Sequence, residues 1–295
     1  MAIGTANAKT IFFGEHFVVY GVKAIGFALD RKIEIEVKES PRFEIGFDAD
    51  EKTKAALEVL KNLLGRRNFR ITIKNSDIPV AGGLGSSAAL SVATIRAISN
   101  EFSLELSNKK ICALAFEAEK VFHGTPSGID NTLATFGGAL VFQKNTENNL
   151  IERLQIGSPM HLVMVDSGIK SATKAMVEKT RAFKENNETV FSRILNIESL
   201  VVEEAILAIK SGDHEKLGAL MNVNHGLLKT IGASHPENEK IVEIARENRA
   251  LGAKVVGAGG GGFCAALMAN QESALNLVRI LEKRYQCFYN LVPAN

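Results

Sequence analysis

The sequence has little charge imbalance. Against 33 Asp and Glu stand 35 Lys and Arg, a formal net charge of +2 over 295 residues. A sum that small supplies no long-range field to gather a polyanion, which argues against nucleic acid as a partner. Cysteine is sparse as well. Cys112, Cys264 and Cys287 are odd in number, far apart and without CxxC spacing. They read as small buried apolar side chains in a reducing compartment, neither a disulfide framework nor a zinc site. Convincing membrane spans are missing too. Two uncharged stretches, Ile78 to Ile95 and Val255 to Gln271, are full of glycine, and the first carries Ser86, Ser87 and Ser91. A spanning helix needs about 20 mostly apolar residues, so glycine loops joined to buried elements are the better reading. The opening residues, MAIGTANAKTIFFGEH, lack the basic start and long apolar run of an export signal. The expectation is a cytoplasmic chain with no membrane association.

What is present is the composition of a globular protein, 46% hydrophobic and 23% charged. The length suits two domains, each large enough for its own core. Alternation of apolar and charged residues marks strands at Lys32 to Lys38 and Phe69 to Lys74. Helical spacing covers Asp48 to Leu64, with Gly65 placed as its terminating residue. A further helix runs from the capping Ser107 to Phe122, and Gly138 to Gln143 reads as a strand. The polar run Lys144 to Asn149 leads to a boundary near residue 155, giving domains 1–155 and 156–295. The second half predicts a strand at His161 to Asp166 and several helices, one opening at Pro236. Strands at Lys254 to Val256 and Phe263 to Met268 flank a glycine run, and a helix (Ser273 to Tyr285) and a strand (Gln286 to Val292) follow. Without the extra helices that order is β-α-β-β-α-β, which is ferredoxin-like. The fold class expected is α+β.

Two glycine segments carry the chemistry. Residues 79–89 read PVAGGLGSSAA: Pro79, Val80, Ala81, Gly82, Gly83, Leu84, Gly85, Ser86, Ser87, Ala88 and Ala89. The segment follows a strand and opens an apolar helix, the arrangement that aims backbone N–H groups and the positive helix end at an anion. It is not a Walker A loop, because no lysine follows its last glycine. Ser86 and Ser87 can cap the helix or offer a hydroxyl to a metal or phosphate; the plain alternative is a tight turn with Ser86 as an N-cap. The second segment, Gly257 to Gly262, reads GAGGGG and formally satisfies GxGxxG. A dinucleotide fingerprint requires a helix directly after the loop, whereas FCAALMA looks like a strand. Two glycine runs in separate domains suggest two walls of one cleft around a phosphorylated ligand, or else a close-packed hairpin at the second.

Acids and bases stand near these segments. Asp130 lies in HGTPSGIDN, read as a Gly/Pro-stiffened loop able to hold a carboxylate near a reacting hydroxyl, or as an Asp capping the next turn. Glu117 and Glu119 share the preceding helix, where a solvated face is the ordinary role. Beside a phosphate loop, however, Mg²⁺ takes one or two carboxylates plus phosphate oxygens. Lys9 can end near a phosphate or sit at a strand edge. His214, His225 and His235 have no ligand-like spacing.

Taken together, PVAGGLGSSAA, KTIFFGEHFVVYG upstream and GAGGGGF downstream resemble the three motifs of the GHMP small-molecule kinases, in the same order from residue 9 to 263. FGEHFVVYG with HGTPSGIDN is similar to the mevalonate kinases among them, and the compact length suits the archaeal type. The resemblance implies ATP-dependent phosphorylation of the 5-hydroxyl of mevalonate, on a ribosomal-S5-like N-terminal domain and a ferredoxin-like C-terminal domain. It implies Asp130 as the base and Lys9 beside it, with Ser87 and Glu119 holding Mg²⁺ and the 79–89 loop around the ATP phosphates. Gly259 and Gly260 support the nucleotide, while Glu15, His16 and Thr173 face the acceptor. Such relatives are often homodimers. The sequence departs from the family at Ala6-Asn7-Ala8, where Ala-Pro-Gly is usual, at Ala81-Gly82, and at Ser171, where many relatives carry arginine. Another kinase of the family, acting on phosphomevalonate, homoserine or a sugar, and a non-catalytic nucleotide-binding protein stay open as alternatives.

Overall fold

Strands in this chain are set by what faces inward. A computed structural model describes residues 1–65, 67–79, 83–124, 126–145, 149–170 and 173–295, the side chains of residues 173 and 174 excepted. Its elements begin with β1 (Ala2–Phe13), a 3-10 turn (Val18–Tyr20) and β2 (Ala24–Glu39). Next come β3 (Glu44–Ile45), α1 (Glu51–Leu63), β4 (Phe69–Ser76), α2 (Ser86–Glu101), α3 (Asn108–His123) and α4 (Ile129–Phe136). The chain continues through β5 (Ala139–Gln143), β6 (Leu150–Arg153), β7 (Met160–Asp166), α5 (Thr173–Asn186), α6 (Glu188–Ser211), α7 (His214–Thr230) and α8 (Pro236–Glu247). It closes with β8 (Gly252–Val255), β9 (Phe263–Met268), α9 (Gln271–Leu281) and β10 (Gln286–Val292).

The chain forms two compact units. The first comprises Met1–Lys9, Ala28–Val80 and Gly85–Gly138, and the second Thr10–Phe27, Ala81–Leu84 and Ala139–Asn295. In the first, β2 runs antiparallel to β4, with Ile35 opposite Ile73 and Val37 opposite Ile71. Ile33, Ile35 and Val37 point into the core, and the alternate residues Glu34, Glu36 and Lys38 point out, as the period-two pattern requires. Against this sheet lies α2, buried nearly all round through Ala88, Ala89, Val92, Ala93, Ile95, Ala97 and Ile98. Its alanines allow β1 to come very close: a Cβ on Gly4 would lie 2.1 Å from the Ala93 carbonyl oxygen and 2.3 Å from the Ala97 nitrogen. Arg96 of α2 then donates to the carbonyls of Thr5 (2.6 Å) and Thr135 (2.7 Å), tying β1 and the end of α4 to the same helix. The expected caps are present: Ser107 accepts from the Lys110 amide, and Gly65 follows α1 with φ +98°.

In the second unit a four-stranded antiparallel sheet has the order β10-β7-β9-β8. With α9 between β9 and β10, and α5 to α8 between β7 and β8, this is the ferredoxin-like order with added helices. β9 is buried along its whole length and β7 from Leu162 to Val165, which explains their continuous apolar runs. Both units mix helices and sheets, as the α+β expectation has it. Among the described residues no helix is long and apolar enough to cross a membrane.

Candidate active site

In the first unit the site is built on the start of α2. Gly85 precedes the helix in the left-handed region, with φ +74° and no side-chain cap, so Ser86 is the first helical residue and not the N-cap. The first backbone N–H groups of such a helix have no intrahelical acceptor and carry the positive end of its dipole. Lys9 comes from β1, which is regular through Ala6-Asn7-Ala8; Asn7 is held by a 2.9 Å bond to the Leu29 carbonyl. The Lys9 stem lies across Gly85, where an added Cβ would sit 2.5 Å from Cε and 2.8 Å from Cγ. The side chain is 3% exposed, and its ammonium reaches Asp130 Oδ1 at 2.8 Å.

Asp130 sits in the first turn of α4, not in the loop expected for HGTPSGIDN. Helix wins here because Ile129 and Leu133 are buried and Thr132 closes the turn, its hydroxyl donating to the Gly128 carbonyl at 2.7 Å. A carboxylate in a first helical turn also faces a favourable dipole. Two residues beyond Gly85, the Ser87 hydroxyl lies 3.4 and 3.5 Å from the two carboxylate oxygens of Glu119. Glu119 is 1% exposed, while Glu117 faces outward and pairs with Lys120. His123, one turn further on α3, brings Nε2 to 3.1 Å from Glu119 Oε1. Its hydrogen bond to that carboxylate, outweighing burial, raises its pKa above the ordinary histidine range. Of residues 79–89, Val80, Ala81 and Gly82 lie outside the described residues, and Leu84, Ala88 and Ala89 are buried.

The second unit holds the turn at residues 14–16. His16 has φ +61°. Its Nε2 bonds the Ala258 carbonyl at 2.9 Å, so Nε2 carries the proton and Nδ1 accepts from the Thr180 hydroxyl at 3.2 Å. Burial lowers the pKa of this imidazole. Glu15 is fully buried and its carboxylate is committed to the equally buried Lys254 of β8, which also donates to the Val255 carbonyl at 2.7 Å. The Gly14 amide donates to Glu198 at 3.1 Å, and Asn224 Nδ2 bridges both Glu198 oxygens at 2.7 and 2.8 Å. Burial pushes the Glu198 carboxyl up to about 8.

The glycine run 257–262 joins β8 to β9, which pair antiparallel, so a strand follows it and the helix a dinucleotide fold demands is absent here. Gly259 is pressed on the loop after α7, where a Cβ would lie 2.0 Å from the Ala233 carbonyl oxygen. A Cβ on Gly257 would stand in ordinary contact, 3.7 Å, with the Gly83 carbonyl oxygen. The Thr173 side chain and Ser171 lie outside the described residues, and Lys170 is exposed.

Lys9, Gly85 and Asp130 thus come together in one group, as do Ser87 and Glu119, and His16 meets the glycine run through Ala258. Sequence reasoning missed His123, Thr180 and Lys254. Two of them left a trace: His123 stands four residues after Glu119 on one helix face, and Lys254 is a lone charge in the apolar stretch before the glycine run.

Comparison with known proteins identifies the family. Residues 51–138 match the GHMP kinases N terminal domain and residues 205–287 the GHMP kinases C terminal domain. The chain is 36% identical to a mevalonate kinase of Thermococcus sibiricus, over 92% of this chain and 90% of that one. The crystal structure of L. major mevalonate kinase in complex with R-mevalonate superposes with a TM-score of 0.91 at 28% identity, covering 100% of this chain and 97% of that one. The Methanococcus jannaschii mevalonate kinase gives 0.83 at 29%, with 99% and 98% covered. The chain therefore belongs to the GHMP kinases, and within them to the mevalonate kinase family.

Proposed function

We propose that this chain transfers the γ-phosphoryl group of ATP to the 5-hydroxyl of mevalonate, giving 5-phosphomevalonate and ADP for isoprenoid synthesis. The observation that carries the reading is the Lys9–Asp130 pair held over the glycine that opens α2. Phosphoryl transfer demands positioning and charge stabilisation more than covalent chemistry. A helix N-terminus binds the phosphates, with residues 79–89 wrapped around them and Gly259 and Gly260 in support. Asp130 receives the hydroxyl proton as the new O–P bond forms. Lys9, buried beside it, orients that carboxylate and stabilises negative charge growing on the attacking oxygen.

Mg²⁺ fits the pair Ser87 and Glu119. Both offer oxygen donors, and His123 holds the Glu119 carboxylate in place through Oε1. When bound there, the ion would neutralise charge on the phosphate oxygens. His16 and Thr173 are assigned to mevalonate. Glu15, assigned there with them from the family resemblance, serves by fixing the turn that carries His16, because its carboxylate is taken up by Lys254. The reading includes an N-terminal domain of residues 1–155 and a C-terminal domain of residues 156–295, with the two family matches falling on either side of residue 155. It places the reaction in the cytoplasm.

The test is ADP release measured with mevalonate, phosphomevalonate and homoserine in turn. Turnover with mevalonate alone supports the reading. Preference for either of the others moves the chain to another acceptor, and no ADP release with any of them overturns the assignment as a kinase of this group.

A further inference from the structure

Several helical hydroxyls in this chain bond back to their own helix, the ordinary outlet for a serine or threonine in mid-helix. Ser91 of α2 donates to the Ser87 carbonyl at 2.9 Å, and Thr230 of α7 to the Gly226 carbonyl at 2.8 Å. Thr132 and Thr135 of α4 do the same toward Gly128 and Asn131, each at 2.7 Å. Thr180 of α5, 2% exposed, is turned across the fold instead. Its hydroxyl meets Nδ1 of His16 at 3.2 Å, between positions 164 residues apart in sequence.

The chemistry at His16 makes that hydroxyl the right donor. Nε2 spends its proton on the Ala258 carbonyl, and burial favours the neutral ring, so Nδ1 carries a lone pair and no proton. With both nitrogens bonded to protein, what His16 offers a small molecule is the position of its ring. That position needs support, because φ +61° is uncommon outside glycine and persists where the surroundings over-determine it. Gly14 and Glu15 are tied through Glu198 and Lys254, and the His16 ring is tied at one nitrogen to the glycine run and at the other to α5. Helix α5 opens at Thr173, two helical turns before Thr180 and about 10 Å away along the axis. One hydroxyl therefore joins His16 to the helix that Thr173 opens.

We propose that Thr180 is a positioning residue for the acceptor: it locks the His16 ring to α5, so that the turn at residues 14–16 and the helix opened by Thr173 present mevalonate with one fixed wall. The proposal rests on the reading of His16 and Thr173 as mevalonate-facing. Thr180→Val keeps the shape and removes the hydroxyl. It raises KM for mevalonate by about tenfold, the size of one hydrogen bond lost at a buried acceptor, with kcat and KM for ATP nearly unchanged. Thr180→Ser restores KM, and Thr230→Val, which deletes a back-bonded hydroxyl on α7, does not move it. Nitrogen-15 NMR of the full chain supplies a readout independent of the acceptor: the Nδ1 resonance of His16 shifts in Thr180→Val and returns in Thr180→Ser. If the valine disturbs the fold by circular dichroism, Thr180→Ala takes its place in both measurements. His16→Asn, a side chain suited to the same backbone, separates the two readings. A raised KM in His16→Asn with none in Thr180→Val overturns the proposal and leaves His16 at the acceptor. No change in either removes His16 from that role and the proposal with it. An Nδ1 resonance indifferent to Thr180→Val overturns the proposal whatever the kinetics.

Discussion

Replacing Gly85 with alanine tests how closely Lys9 must be placed. Two effects follow from the structure. The first is conformational: alanine at φ +74° costs about 1–2 kcal/mol. The second is a collision, since the new Cβ would stand 2.5 Å from Lys9 Cε. Carbon atoms rest at about 3.5–4.0 Å, so the stem must move by about 1 Å or more. That movement pulls the ammonium off Asp130, now 2.8 Å away. A misplacement of about 1 Å at a reacting centre can cost about 10²-fold in rate. Gly65→Ala is the matched control, because φ there is +98° and nothing lies within 4 Å of the added Cβ. Both variants should melt a few degrees below the parent. Only Gly85→Ala should lose kcat in an ADP-release assay, by about 10²-fold. Equal turnover in the two variants would refute the argument that the Lys9 stem needs the space over Gly85.

Asp130→Asn should keep ATP affinity, read by nucleotide titration, and lose about 10²–10⁴-fold in kcat, the usual contribution of a general base; near-normal turnover removes Asp130 from that role. Glu119→Ala should raise the Mg²⁺ concentration needed for half-maximal rate, whereas the outward-facing Glu117→Ala should leave it alone, and equal effects would unseat the metal assignment. Glu198 gives a pH prediction. Its folded pKa of about 8 lies above the unfolded carboxyl value near 4.5, so the folded state holds the extra proton between those values. This contribution to stability is full below pH 4.5 and is lost as pH rises through about 8. Melting temperatures measured across that range should fall less steeply with pH in Glu198→Gln than in the parent; identical slopes would contradict the assignment.

Legibility in the sequence followed the size of the side chains. Strands β2 and β4 announce themselves because Ile33, Ile35 and Val37 in the first, and Phe69, Ile71 and Ile73 in the second, alternate with polar and charged residues. β1, which carries Lys9, does not, because its inward positions are Gly4, Ala6 and Ala8 while Ile3 faces solvent. A strand packed tightly on an alanine-rich helix has no room for the bulky residues that pattern reading relies on. The sequence marks Asp130 as a candidate but reads as a loop there, since Gly, Thr, Pro and Ser before it mask a short helix held together by the burial of Ile129 and Leu133. Glu119 looked like any exposed helical carboxylate next to Glu117; only packing shows which of the two faces Ser87. Lys254 and Glu15 are 239 residues apart, and no local pattern reports so distant a pair.

The contact of Gly4 with α2 has a consequence for a lysine five residues away. Strand geometry puts roughly 17 Å between positions 4 and 9. Because the backbone at Gly4 already touches Ala93 and Ala97, and Arg96 grips both Thr5 and Thr135, the lysine, the helix mouth and the aspartate share a single anchorage. One methyl group at position 4 would therefore act as a wedge under a lever, tilting the far end of the strand while leaving every residue near the phosphates chemically intact.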